Sequence, residues 1–174
     1  MRNFSFNFSL FVSVTTIEII YFCKKYVQMK IGILILSFLP FFGFCQASEE
    51  ASIKASINAL FDGMRTSDSA KINNAFSKSA VLQTITKNGE VKNEIINDFA
   101  TSISKAEKGS LDEKISFSSI LIDGNLASVW TPYEFYYKGK FSHCGVNSFQ
   151  LVKANNDWKI QYIIDTRRKD NCKK

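Results

Sequence analysis

One histidine stands among 174 residues, and polar side chains surround it at strand spacing. His143 and Asn147 lie four apart, Asp165 and Arg167 two apart, and Glu134 lies four beyond Trp130. Residues separated by even numbers share one face of a strand. A carboxylate and an imidazole on one face can exchange a proton with a bound molecule, as enolisation or dehydration requires, once their surroundings bring both near neutrality. Glu134/His143 is the candidate acid–base pair, with Asp165 as a second carboxylate. Asn147, Asp165 and Arg167 would clamp a polar group, and Trp130 and Tyr136 would grip a flat ligand. The same residues also admit a plainer reading. Glu134 and His143 would then be a cross-strand pair on a solvated face, worth about 0.2–1 kcal/mol. Asp165 with Arg167 or Arg168 would be an ion pair holding the last strand. Serine-nucleophile chemistry has no G-x-S-x-G turn to run on. Zinc chemistry would need clustered ligands, and one His with distant Cys does not supply them. No metal or cofactor is expected.

These residues need elements to position them. Ile53, Ile57, Leu60, Phe61 and Met64 recur at helical spacing and predict a helix over 47–65, capped by Ser48. Asp62 and Arg65 on it form a solvated pair or flank a cavity mouth. A short helix over 67–76 begins at Ser67 or Asp68. A strand over 80–86 and Asn88-Gly89 predict a hairpin. A third helix over 94–108 carries Ile95, Phe99 and Ile103 and stops at Gly109. Four strands follow, over 114–122, 126–137, 141–153 and 158–167. The turns Asp123-Gly124-Asn125, Lys138-Gly139 and Asn155-Asn156-Asp157 separate them. This order predicts an α+β fold, three helices against one curved, mostly antiparallel six-stranded sheet.

Turn geometry then predicts a register. A two-residue turn at Lys138-Gly139 sets Tyr137 opposite Lys140, Glu134 opposite His143 and Trp130 opposite Asn147. Pairing Ala154 with Trp158 sets Asn147 opposite Asp165 and Gly145 opposite Arg167. One face then carries Trp130, Glu134, Tyr136, Phe141, His143, Asn147, Phe149, Asp165 and Arg167. The other carries Val129, Tyr133, Phe135, Cys144, Val146, Ile160, Tyr162 and Ile164. Pro132 invites a bulge that would disturb this scheme.

Residues 1–45 are excluded from the functional fold. Residues 29–45 read as a secretory signal, with Lys30, the uncharged run 31–44 and an exit at Gly43-Phe44-Cys45. Cleavage between Cys45 and Gln46 would release a periplasmic or secreted protein; lipidation of Cys45 is the weaker alternative, because Phe44 is bulky. Residues 1–28 are a gene-start extension or an extra hydrophobic segment, since 4–23 is long enough to span a bilayer. Cys144 and Cys172 then remain as an even pair, a disulfide candidate in an oxidising compartment.

Charge excludes another class. The net charge of +6 sits at the two ends, because residues 46–166 hold 13 basic and 14 acidic side chains. The last eight residues, RRKDNCKK, hold five basic ones, and 169–174 form a basic tail. Basic side chains elsewhere are scattered singly, so no nucleic-acid face is expected.

The run IKASINALFDGMRTSDSAKINNAFSKSAVL resembles the opening of the nuclear-transport-factor-2-like (SnoaL-like) superfamily, and DWKIQYIIDTRR resembles its closing strand. The likeness covers about residues 50–168. It extends to small exported bacterial proteins described as putative lumazine-binding. It implies a cone-shaped, cystatin-like fold over 46–168, a ligand cavity and a homodimer formed through the outer sheet face. Chemistries in the superfamily differ, so no catalytic residue carries over. Three functions follow as expectations: an exported binder of an unknown small molecule; a cofactor-independent isomerase, dehydratase or cyclase using His143 with Glu134 or Asp165; or a homodimeric accessory protein with a vestigial cavity.

Overall fold

The structure is a computed structural model that describes Lys24 and residues 41–172, with side chains from Ser48 onward. The expectations placed on residues 1–28 and on most of 29–45 lie outside the described residues. The compact unit that carries the fold begins at Ser48.

Helix α1 (Phe41–Thr66) starts six residues before the predicted helix. Ser48 is therefore inside it and caps nothing; its carbonyl accepts a hydrogen bond from the Ser52 hydroxyl at 3.0 Å. The apolar stripe behaves as its spacing demands. Ile53 and Ile57 are fully buried, and Leu60, Phe61 and Met64 nearly so. Helix α2 (Ser69–Ala75) is capped by Asp68, whose carboxylate accepts from the Lys71 amide at 2.9 Å. Gly63 lets α2 close on α1, since a Cβ there would stand 2.8 Å from Ile72. Helix α3 (Ile96–Ser104) is shorter than predicted. Ile95 is its N-cap rather than part of its apolar face, and is 70% exposed. Its C-cap is Lys105, so Gly109, with φ +77°, is not its stop but turns the chain beyond it and donates its N–H to the Arg65 carbonyl at 2.8 Å.

The sheet has seven strands: β1 (Phe76–Ile85), β2 (Val91–Glu94), β3 (Leu111–Ile115), β4 (Ser119–Asp123), β5 (Leu126–Tyr137), β6 (Lys140–Ala154) and β7 (Asp157–Arg168). Their order is β2-β1-β7-β6-β5-β3, with β4 also on β5, and only β1 and β7 run parallel. The predicted strand over 114–122 is two strands because Pro132 opposes its middle. Proline offers no N–H to a ladder. Ser116 and Ser118 instead donate to the carbonyls of Pro132 and Trp130, both at 3.0 Å.

Two bulges bend the long strands. Phe135 pairs with His143 but Tyr136 pairs with Phe141, so Ser142 is an extra residue in β6. Gln150 pairs with Tyr162 but Leu151 pairs with Ile160, so Gln161 is an extra residue in β7. The last turn is tighter than expected. Ala154 pairs with Asp157, and Asn155 and Asn156 both take positive φ, the backbone of a two-residue type I′ hairpin. The Gln161 bulge compensates, so Asn147 still opposes Asp165 and Gly145 still opposes Arg167.

Helices cover the concave face. Phe149, Leu151, Ile160 and Trp158 are buried there with the α1 stripe. The Trp158 indole donates to Glu49 on α1 at 2.8 Å, and Lys153 pairs with the same carboxylate. On the opposite face Cys144 and Cys172 are bridged, with Cα atoms 5.8 Å apart. No described helix is long and apolar enough to cross a membrane.

Candidate functional site

Between the helices and the concave face lies a cavity of about 190 Å³. Its walls are mostly apolar: Phe61 and Met64 from α1, Phe99 and Ile103 from α3, and Phe135, Phe149 and Ile163 from the sheet. One end is polar. His143 and Asn147 reach it from β6, Asp165 and Arg167 from β7, Tyr133 from β5 and Glu113 from β3.

The polar groups form two linked sets. In the first, the Asn147 side-chain amide donates to Glu113 at 2.8 Å. In the second, Asp165 is nearly fully buried and accepts from Thr84 and from Arg167 Nε at 2.9 Å. Arg167 Nη2 donates in turn to the Thr84 hydroxyl at 3.0 Å. The Tyr133 hydroxyl donates to the Thr166 carbonyl at 2.9 Å and stands 3.3 Å from Asp165 Oδ2. The sheet register sets Asn147 opposite Asp165 and so joins the sets.

Electrostatics separate the titrating groups. Burial, reinforced by the neighbouring charge of Asp165, pushes the Glu113 carboxyl up to about 7; the Asn147 hydrogen bond and Arg167 oppose this. Glu113 is half-buried and lines the cavity. Burial also lowers His143, helped by Arg167 and Lys169 against Asp165. At neutral pH the imidazole is therefore uncharged while Glu113 is poised between its two forms. Burial and the adjacent Asp165 carboxylate hold Tyr133 far above its ordinary range, so it stays protonated. A neutral base and a half-protonated acid on the wall of one cavity are the groups that accepting and donating a proton there requires. Among the described residues no three His, Cys, Asp or Glu side chains converge as metal ligands.

His143, Asn147, Asp165 and Arg167 line the cavity together, as their spacing predicted. Glu134, Trp130 and Tyr136 do not. The Ser142 bulge shifts β5 by one residue against β6, so Glu134 opposes Cys144 and Trp130 opposes Ser148. All three side chains point away from the cavity. Glu134 accepts from the Tyr136 hydroxyl at 2.8 Å, and Lys114 Nζ stands 4.4 Å above the Tyr136 ring. Trp130 is 48% exposed, and Phe141 is exposed beside Tyr136. The same shift brings Val129, Tyr133 and Phe135 to the concave face, and the Gln161 bulge brings Ile160 there. Cys144, Val146, Tyr162 and Ile164 keep the outer face. Pro132 breaks the β3–β4 edge but not the alternation of β5. Asp62 and Arg65 pair at 2.8 Å on the exposed side of α1, where Arg65 also reaches Asp112 at 3.0 Å.

Glu113 and Thr84 were missed. Counting back by two from Ile115 would have placed Glu113 on the inner face, but the strand was predicted to begin at Lys114. Thr84 reaches the site through the parallel β1–β7 pairing, which no hairpin turn announces. A larger recess of about 1100 Å³ runs along β1, lined by Asn73, Glu94, Ile95 and their neighbours. Its polar residues, Asn93, Glu94, Asp157 and Lys159 among them, are exposed or half-buried rather than buried.

Comparison with known proteins places this geometry. The family model described as Putative lumazine-binding matches residues 48–162. Among curated proteins there is no match. An NTF2-like protein of unknown function from Shewanella baltica OS155 is 19% identical, with TM-score 0.58, over 70% of this chain and 95% of that one. One from Silicibacter pomeroyi DSS-3 is 16% identical, with TM-score 0.59, over 71% and 98%. A domain of unknown function with a cystatin-like fold from Nostoc punctiforme PCC 73102 is 16% identical, with TM-score 0.58, over 70% and 78%. At these identities the likeness is one of fold.

Proposed function

We propose that this chain, which belongs to the Putative lumazine-binding family, binds one small, flat, largely apolar molecule in its conical cavity. The observation that carries this reading is the lining. Aromatic and aliphatic walls enclose a space whose few polar groups gather at one end, the usual make-up of a small-molecule site. The volume of about 190 Å³ is below the ~300–1,000 Å³ common for drug-sized ligands, so a molecule of one or two rings fits. Lumazine has that size and flatness, a planar bicycle whose rim of N–H and C=O groups is more polar than the cavity walls. Asn147 and Glu113 offer matching donors and acceptors. Calorimetric titration with lumazine tests the reading. Binding weakened by Asn147→Ala supports it, and absence of binding by lumazine and other one- and two-ring heterocycles opposes it.

A second reading adds proton transfer to the same pocket. It is favoured by a lowered His143 and a Glu113 at about 7 on the wall of one cavity. The reaction would be a cofactor-free isomerisation, dehydration or cyclisation, with Glu113 in the role first given to Glu134, and with His143 and Asp165. Loss of turnover in His143→Ala with ligand affinity kept would support it.

Export and dimerisation belong to the same proposal. The Cys144–Cys172 bridge supports an oxidising compartment, in line with residues 29–45 as a secretory signal. A mature N-terminus at Gln46, read by mass spectrometry, would support it. Leu121, Leu126 and Trp130 are exposed and share the outer face of β4 and β5, which supports a homodimer built there. A dimer in solution that Trp130→Ser dissociates would agree; a monomer at all concentrations would not.

A further inference from the structure

Beside the cavity lies a second recess, of about 420 Å³, that shares His143 and Arg167 with it. We infer that this recess is an anion subsite, which takes a carboxylate or phosphate group of the ligand whose apolar part fills the cavity. The inference rests on the reading of the cavity as a ligand site and deepens it by naming the ligand's charge.

The recess is lined by Lys87, Lys92, Arg167, Arg168 and Lys169, with Glu94 as the single carboxylate on its wall. Arg167 is engaged by Asp165 and, at 3.9 Å, by Glu94. Among the described residues, none of Lys87, Lys92, Arg168 and Lys169 has a carboxylate within salt-bridge distance. Four unpaired cations around one hollow repel one another and concentrate anions there.

The sequence scatters these charges, and the fold collects them. Lys87 follows β1, Lys92 lies on β2, Arg168 ends β7 and Lys169 follows it. Parallel pairing sets Thr84 beside Asp165 and Ile85 beside Thr166, so β1 and β7 finish side by side. The bridge from Cys172 to Cys144 then holds the chain three residues beyond Lys169 against β6. The apolar cavity and the cationic recess meet at Arg167 and His143. A ligand with a ring at one end and an anionic group at the other matches both.

Three fluorescent naphthalenes test this on the full chain: 2-naphthamide, 2-naphthoate and 2-naphthyl phosphate. They share a ring system and differ in charge. We expect at least one anion to bind about tenfold tighter than the amide at low ionic strength, with the advantage shrinking as salt is added. Which anion is preferred tells whether a carboxylate or a phosphate is the natural group. The exposed triple variant Lys87→Ser/Lys92→Ser/Lys169→Ser should lose the advantage and keep naphthamide binding. Equal binding of all three probes, or an anion preference unchanged in the triple variant, overturns the subsite and leaves the cavity reading intact. Binding of none overturns the subsite, and removes the cavity reading as well when lumazine also fails to bind.

Discussion

Tyr133 lies across Gly145. The two residues oppose each other on β5 and β6, and a Cβ on Gly145 would stand 2.6 Å from the tyrosine ring. The missing side chain lets the ring pass over β6, so that its hydroxyl reaches the Thr166 carbonyl on β7 and approaches Asp165. One glycine thereby permits a contact spanning three strands at the polar end of the cavity.

Gly145→Ala should therefore be among the most damaging small substitutions in the domain. The added methyl also collides with the Thr166 carbonyl oxygen, which is backbone and cannot turn away. Overpacking of this kind costs at least about 1–3 kcal/mol, and urea unfolding should show that loss or no folded protein. Tyr133→Phe keeps the ring and removes one buried hydrogen bond, and should cost about 1 kcal/mol. A Gly145→Ala protein as stable as the parent would contradict this packing.

Glu113 should make stability fall as pH rises. Its folded carboxyl is raised to about 7 from an ordinary value near 4.5. Between these values the unfolded chain has released a proton that the folded chain still holds, so the native state loses stability with increasing pH across that window. The loss should reach about 1–3 kcal/mol by pH 8, allowing for contact with the cavity. Glu113→Gln keeps an acceptor for Asn147 and carries no charge. It should match the parent near pH 4 and exceed it at pH 8. Parallel stability curves for the two proteins between pH 4 and 8 would refute this assignment.

Opening the Cys144–Cys172 bridge should cost about 3–4 kcal/mol by the loop-entropy estimate for its separation of 28 residues. It should also free the segment bearing Lys169. Thermal unfolding with and without reductant measures the first effect. Faster amide exchange over 169–172 in Cys172→Ser measures the second.

Much of this fold was legible in the chain. Turns at Lys138-Gly139 and Gly124-Asn125 bound β5 at Leu126 and Tyr137, and Gly124, Lys138 and Gly139 take the positive φ that tight hairpin turns need. The Ile53–Met64 stripe named the buried side of α1. His143, Asn147, Asp165 and Arg167 shared a face as their spacing required. Bulges were not legible. Ser142 and Gln161 are inserted where the sheet bends, and bending is a property of the packed layers rather than of any local residue pattern. One such residue at Ser142 exchanged Glu134 for Phe135 and Trp130 for Thr131 at the inner face. Thr84 stayed hidden because its partner Asp165 is 81 residues away along a parallel ladder.

The most direct test is a two-dimensional amide NMR titration of the protein with lumazine and with 2-naphthamide. The account predicts that at least one ligand saturates a single site, with shifts gathered on Glu113, Tyr133, His143, Asn147 and Ile163 and none on the outer-face residues Leu121, Trp130 and Glu134. Shifts confined to the outer face, or none with either ligand at saturating concentration, would contradict it.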